Sequence, residues 1–280
     1  MAPYATRRHL LTAAFAAAVF PAGAHRTARL AFTGGASNRR AAAAAGFEIV
    51  EAGFDAALAD RSVDAVFIAG PVSQRAHLAM EACTAQKDVW VEAPVCASLA
   101  EGRRMVAIAR QHRRVVQAGT VWRSSRPFQA ARRAVRGGEL GGIVYCRASE
   151  GTASSSPTHL VDLLQCAFNE AVPRSIAAQG NGGNLLATFH YPGFVASYER
   201  RGASPAGIAF HGAHATRTVC PHDHGARIAH WRNFLECIRS RRRPISDIGT
   251  AVRSTATHWL TDLALRRGTS ISFEMETNLS

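Results

Sequence analysis

Three short apolar runs, residues 65–69 (AVFIA), 89–92 (VWVE) and 115–118 (VVQA), alternate with two longer helical segments at 76–86 and 99–111. Runs without polar alternation belong to strands covered on both faces. A helix in each connection makes those strands parallel, so the stretch predicts a doubly wound parallel sheet. Upstream, residues 28–33 (ARLAFT) supply another strand, and residues 38–45 an alanine-rich helix with Ser37 as its cap. Beyond residue 120 the rhythm changes. A helix over 125–136 closes at Gly137-Gly138, and strands follow at 143–148, 175–179, 185–191 and 194–200, with Tyr191-Pro192-Gly193-Phe194 as a hairpin turn. Helices at 230–239 and 251–266 end the pattern. The expected fold class is therefore α/β plus α+β: an incomplete parallel sheet, then a domain with an open antiparallel sheet.

Arg7-Arg8 precede an apolar run over 10–20 that ends in Ala22-Gly23-Ala24, the pattern of a twin-arginine export signal cleaved after Ala24. The run falls short of the roughly 20 apolar residues of a membrane span. The expectation is a periplasmic or extracellular protein, free of the membrane once residues 1–24 are removed. The formal charge is +13, nearly all arginine and scattered along the chain. The densest run, Arg239-Ser240-Arg241-Arg242-Arg243, follows a helix, where cations favour the carboxyl end. No aromatic residues interleave it, which argues against a specific nucleic-acid groove. Six widely spaced cysteines form no C-x-x-C pair; those at 83, 146, 166 and 237 lie in apolar segments and read as buried thiols, so no disulfide is required.

His211, His214, Cys220, His222 and His224 place several metal-ligand types in one short stretch. The spacing fits no zinc pattern, and the same residues read equally well as a hairpin with its histidines outside. Leu185, Ala187, Phe189 and Phe194 give one apolar face on the second sheet, expected to be covered in a homo-oligomer.

The segments VDAVFIAGP, EACTAQKDVWVEAPV, EGRRMVAIARQHRRVVQAGT and RRAVRGGELGGI, between residues 63 and 147, resemble the Gfo/Idh/MocA family of oxidoreductases in order and spacing. THLVDLLQ, LLATFHYPGFVASYE and HWRNFLECIRSRRRPISDI resemble the second domain of exported members. The resemblance implies a Rossmann domain over 25–120 and an α+β domain over 121–280, NADP or NAD as cofactor, and a small sugar or polyol as partner. It places His159 and Asp162 at the acid/base helix. Thr33, Ser37, Arg39, Gly70, Pro71, Glu92 and Pro94 fall on turns that meet the dinucleotide.

Several positions depart from the pattern. The corner that carries a lysine in the family reads Glu92-Ala93-Pro94, and alanine has neither charge nor proton to offer. Ser155 stands where the aspartate four residues before the histidine is expected. No first strand with a glycine-rich turn precedes residues 29–45, which match the family's second strand and helix. Gly34 stands where NAD-preferring members hold the ribose with an acid, so Ser37, Arg39 and Arg40 favour NADP. Three readings stay open: a degenerate sugar or polyol oxidoreductase, a non-catalytic carbohydrate-binding or partner protein, and a metal-binding protein.

Overall fold

The computed structural model describes residues 27–32, 36–150, 157–181, 183–200 and 206–274. Its first half alternates β1 (Arg29–Phe32), α1 (Ala36–Ala45), β2 (Glu48–Val50), α2 (Phe54–Ala59), β3 (Ala65–Ile68), α3 (Val72–Thr84), β4 (Asp88–Val91), α4 (Leu99–Gln111) and β5 (Val116–Ala118). The strands form a parallel sheet in the order β2-β1-β3-β4-β5. The continuous apolar runs have a simple cause: successive side chains enter different cores. Phe32, Phe67 and Trp90 point to one face, under Trp231 and Phe234. Ala31, Val66, Ile68, Val89 and Val91 point to the other, under the small residues of α3 and α4.

After a 3-10 turn (Val121–Ser124) the chain continues through α5 (Arg126–Arg136), β6 (Ile143–Ser149), α6 (Pro157–Ala167), β7 (Ser175–Asn181), β8 (Asn184–Tyr191), β9 (Phe194–Arg200), β10 (Gly207–Gly212), β11 (Thr216–Val219), α7 (Ala226–Ser240), α8 (Ile248–Arg267) and β12 (Ile271–Ser272). The second sheet runs β11-β10-β6-β9-β8-β7-β12. It is mixed rather than antiparallel throughout, because β6 and β9 pair in parallel, Tyr145 opposite Val195. The crossover through α6 and the β7–β8 hairpin brings β9 back beside β6 in the same direction. At Gly212, where the β6–β10 register shifts, a Cβ would stand 2.1 Å from the Leu140 carbonyl oxygen, so only glycine fits the close approach.

Two expectations are corrected here. Leu185, Ala187 and Phe189 do not form an outer face awaiting a partner chain. They are 4%, 1% and 1% exposed, in one core with Leu160, Leu164, Ala256 and Leu260 of α6 and α8. The chain's own helices cover that apolar face; the alternation was read correctly and its side was not. Nor does the chain after residue 120 stay with the second sheet. On α7, Trp231 stacks on Trp90 at 3.6 Å between centroids and 8° between planes, and Asp247, the N-cap of α8, bridges to Gln117 of β5. Among the described residues no helix is long and apolar enough to cross a membrane.

Candidate functional site

In the strand order β2-β1-β3 the chain reverses its winding between β1 and β3, and in open α/β sheets the crevice at that reversal, beyond the carboxyl ends of the strands, takes the ligand. Glu92 follows β4 at this crevice, and its Oε1 accepts a 2.8 Å bond from Asn38 Nδ2 on α1. Asn38 Oδ1 in turn accepts from Arg227 Nη1 at 2.9 Å and Trp231 Nε1 at 3.3 Å, both on α7. Burial pushes the Glu92 carboxyl above the usual carboxylate range, against the opposing pull of Arg227 and Arg75. A Cβ on Gly119 would stand 2.6 Å from Glu92 Oε2, so the glycine after β5 makes the room for this carboxyl.

A buried acid with a raised pKa stabilises the fold most when protonated. Its contribution is full below the unfolded pKa and is lost as pH rises through the folded value. Glu92→Gln, which keeps an acceptor for Asn38, therefore melts higher than wild type at pH 7.5 and level with it near pH 4 by thermal scan.

The expected site residues are distributed unevenly. Thr33 lies outside the described residues, as does the side chain of Ser37. Arg39 is on α1, paired with Glu51 and lying 5.8 Å over the Phe32 ring, so its charge is already countered. Gly70 has φ +102°, and its carbonyl accepts from Arg75 Nε at 3.0 Å. Arg75 Nη1 also donates to the carbonyls of Pro94 at 2.8 Å and Glu92 at 3.2 Å, so one guanidinium ties the turns of Gly70-Pro71 and Glu92-Ala93-Pro94 together. Arg75 is the cation at the corner of Ala93, and these donors are committed to backbone oxygens.

His159 is half-buried in the first turn of α6, its ring centroid 5.4 Å from that of Trp122. Burial lowers its pKa, with Asp162 and the Gly119 backbone acting in the opposite sense. Its Nδ1 is buried with no hydrogen-bond partner among the described residues. Asp162, expected to share acid/base work with it, sits one turn deeper and is wholly buried. Both of its oxygens are engaged, with Arg123 Nε at 2.6 Å and Nη2 at 2.7 Å and with Ser254 Oγ at 2.8 Å, so its role is to anchor the helix.

Beside His159 opens a cleft of about 310 Å³ lined by Val121, Trp122, His222, Asp223, His224 and Arg227. The His222 ring stands edge-on to Trp122 at 4.7 Å. Asp223 is occupied in accepting from the amides of Arg126 and Gly225, which hold its pKa down. The cleft therefore combines an aromatic face with imidazoles and a guanidinium at its rim. Sequence reasoning missed Asn38, Arg75, Trp122 and Arg227; no motif marks them, and only the folded chain assembles them. The His/Cys stretch does not converge. His211 stacks on Tyr145 and bonds Thr216, while Cys220 Sγ lies 3.3 Å from His222 Nδ1. Among the described residues no group of three or more His, Cys, Asp or Glu stands close enough to hold a metal ion.

The parallel sheet, the crevice at its reversal and the second mixed sheet define a Rossmann-type α/β fold with a second sheet. Residues 12–120 match the family described as GFO_IDH_MocA, the oxidoreductase family with an NAD-binding Rossmann fold. The match begins within the stretch read as an export signal, which lies outside the described residues. A segment of 84 residues, 30% of the chain, is 34% identical to the uncharacterized oxidoreductase YrbE of Bacillus subtilis and spans 25% of that relative's length. The fold is similar to that of a putative myo-inositol dehydrogenase from Sinorhizobium meliloti, with a TM-score of 0.76 and 15% identity over 88% of this chain and 100% of that one. It is equally similar to scyllo-inositol dehydrogenase from Lactobacillus casei with bound NAD(H) and scyllo-inositol: TM-score 0.76, 15% identity, 89% of this chain and 99% of that one.

A dinucleotide needs a glycine turn and a helix amino end aimed at its pyrophosphate, at the strand beside the reversal. At the reversal β1 leads through residues 33–35, which lie outside the described residues, into α1. β1 pairs directly with β3, Leu30 opposite Ala65, leaving no place between them for a further strand. The Glu92, Asn38 and Arg227 bridge spans the crevice from β4 to α1 and α7.

Proposed function

We propose that this protein binds a small sugar or polyol in the Trp122 cleft and carries out no hydride transfer, as a degenerate Gfo/Idh/MocA-type oxidoreductase. The observation that carries the reading is the bridged crevice: Glu92, Asn38 and Arg227 link across it from β4 to α1 and α7. Ala93 supports it, since a single donor beside a developing oxyanion contributes roughly 3 to 4 kcal/mol to a transition state and alanine contributes none. His159 keeps an imidazole at the cleft, but Asp162 is committed to Arg123. Whatever residual dinucleotide affinity exists favours NADP over NAD, because no acid stands at Gly34. Export of the chain through residues 1–24 belongs to the same proposal.

The test titrates the full chain and Ala93→Lys with NADH, NADPH and a panel of inositols and sugars by calorimetry, then assays both for dehydrogenase activity. A polyol binds, Trp122→Ala weakens it at least tenfold, and neither protein turns over. Micromolar NAD(P)H binding with turnover by wild type would falsify the proposal. Turnover by Ala93→Lys alone would show that the lost lysine was the only defect.

A further inference from the structure

A second cleft, of about 600 Å³, lies at the opposite end of the parallel sheet, where β4 begins at Asp88 and β5 at Val116. Six arginines line it: Arg110, Arg113 and Arg114 from the end of α4, and Arg241, Arg242 and Arg243 from the end of α7. The only acid in the lining is Asp247. Six guanidiniums around one concavity repel one another, and a floor of Val115, Val116 and Ile248 weakens the screening between them.

Helix ends account for some of this charge. Arg241 donates to the Ile238 carbonyl at 3.1 Å and grips Asp88 through both terminal nitrogens, at 2.6 and 3.0 Å. Arg114 donates to the carbonyls of His112 and Gln86, and Arg243 pairs with Asp247 at 2.6 Å. These three therefore already have partners within the chain. Arg110, Arg113 and Arg242 are exposed and, among the described residues, have no acidic partner. They exceed what the helix ends need. The amino end of α8 also meets this cleft at Ile248, adding its positive backbone field.

We infer that this arginine cleft is a binding site for a compact, multiply charged phosphate anion of the condensed-phosphate class. Three arginines are paired within the chain and three supply free forks, which suit phosphate oxygens bidentately. No aromatic side chain lines the cleft, so it has no platform for a base, which favours a phosphate chain over a nucleic-acid strand.

The experiment titrates tripolyphosphate into the full chain at 150 mM salt by calorimetry, beside orthophosphate, sulfate and single-stranded DNA. Tripolyphosphate binds at one site per chain, and Arg110→Ala/Arg113→Ala/Arg242→Ala weakens it at least tenfold. Arg103→Ala/Arg133→Ala/Arg232→Ala removes the same charge from other exposed positions and changes binding less than twofold. In wild type, tripolyphosphate shields Arg110, Arg113 and Arg242 from phenylglyoxal and leaves Arg103, Arg133 and Arg232 open, read by peptide mass spectrometry. Equal loss in the two triple variants, absence of that shielding, tripolyphosphate binding no tighter than sulfate, or DNA binding as tightly through the same three arginines would each overturn the inference.

Discussion

Arg123→Met unfolds more easily than wild type by about 3 to 5 kcal/mol, the cost of leaving a buried acid without its countercharge. Arg123 is wholly buried, and its guanidinium reaches three other parts of the chain. It takes Asp162 of α6 through Nε and Nη2, Glu170 at 2.7 Å through Nη1 and 3.0 Å through Nη2, and the Ile245 carbonyl before α8 at 3.1 Å. Burial opposes the charge, yet the two carboxylates overcome it and raise the Arg123 pKa well above its ordinary value. Methionine fills much of the volume and leaves Asp162 facing only Ser254 and an apolar core. For a chain of this size each kcal/mol moves the melting temperature about 2 to 4 °C, so the shift is on the order of 10 °C. The double variant Arg123→Met/Asp162→Leu loses less than the single one, because no charge is stranded. Urea unfolding of the two variants measures both quantities. A single-variant loss under about 1 kcal/mol would mean that water reaches the pair.

Acidification from pH 7 to 4 removes about 3 kcal/mol of stability through His230 alone. Its ring is fully buried, edge-on to Trp90 at 5.1 Å, with Nδ1 2.8 Å from Ser124 Oγ and Nε2 2.9 Å from the Ala118 carbonyl. Burial lowers its pKa to about 4, against a countervailing backbone bond to Ala118. The unfolded chain binds the proton near pH 6.5, so the stabilisation is present above that pH and is lost as pH falls toward 4. At 1.36 kcal/mol per pH unit that window yields the figure given. Carboxylates titrate over the same range, and the histidine's share is therefore read as a difference. His230→Gln, which can still bond Ser124 and Ala118, loses about 3 kcal/mol less than wild type between pH 7 and 4 in denaturant titrations. Equal losses in the two proteins would show that His230 titrates normally.

The parallel sheet was legible because two-faced burial leaves a mark in one dimension: residues 65–68 and 88–91 contain almost no polar side chain that could face water. The family resemblance of residues 63–147 and the substitution at Ala93 are likewise facts of the sequence. Local caps set some helix ends, as at Ser98, which accepts from the Glu101 amide, and Gly268, which takes the left-handed conformation after α8. Alternation along 185–189 told which residues share a face, but not which side α6 and α8 would cover. That side is set by the crossover of the chain. The site depended on tertiary structure most of all. Asn38, Glu92 and Arg227 are separated by 54 and 135 positions along the chain, and only the return of α7 onto α1 puts them in one bridge. Local propensities cannot encode that meeting, because a hydrogen bond between distant side chains leaves no periodicity behind. The pairing of Asp162 with Arg123 is of the same kind: the sequence held both charges, and the packing of α6 against the turn after β5 decided that they neutralise each other.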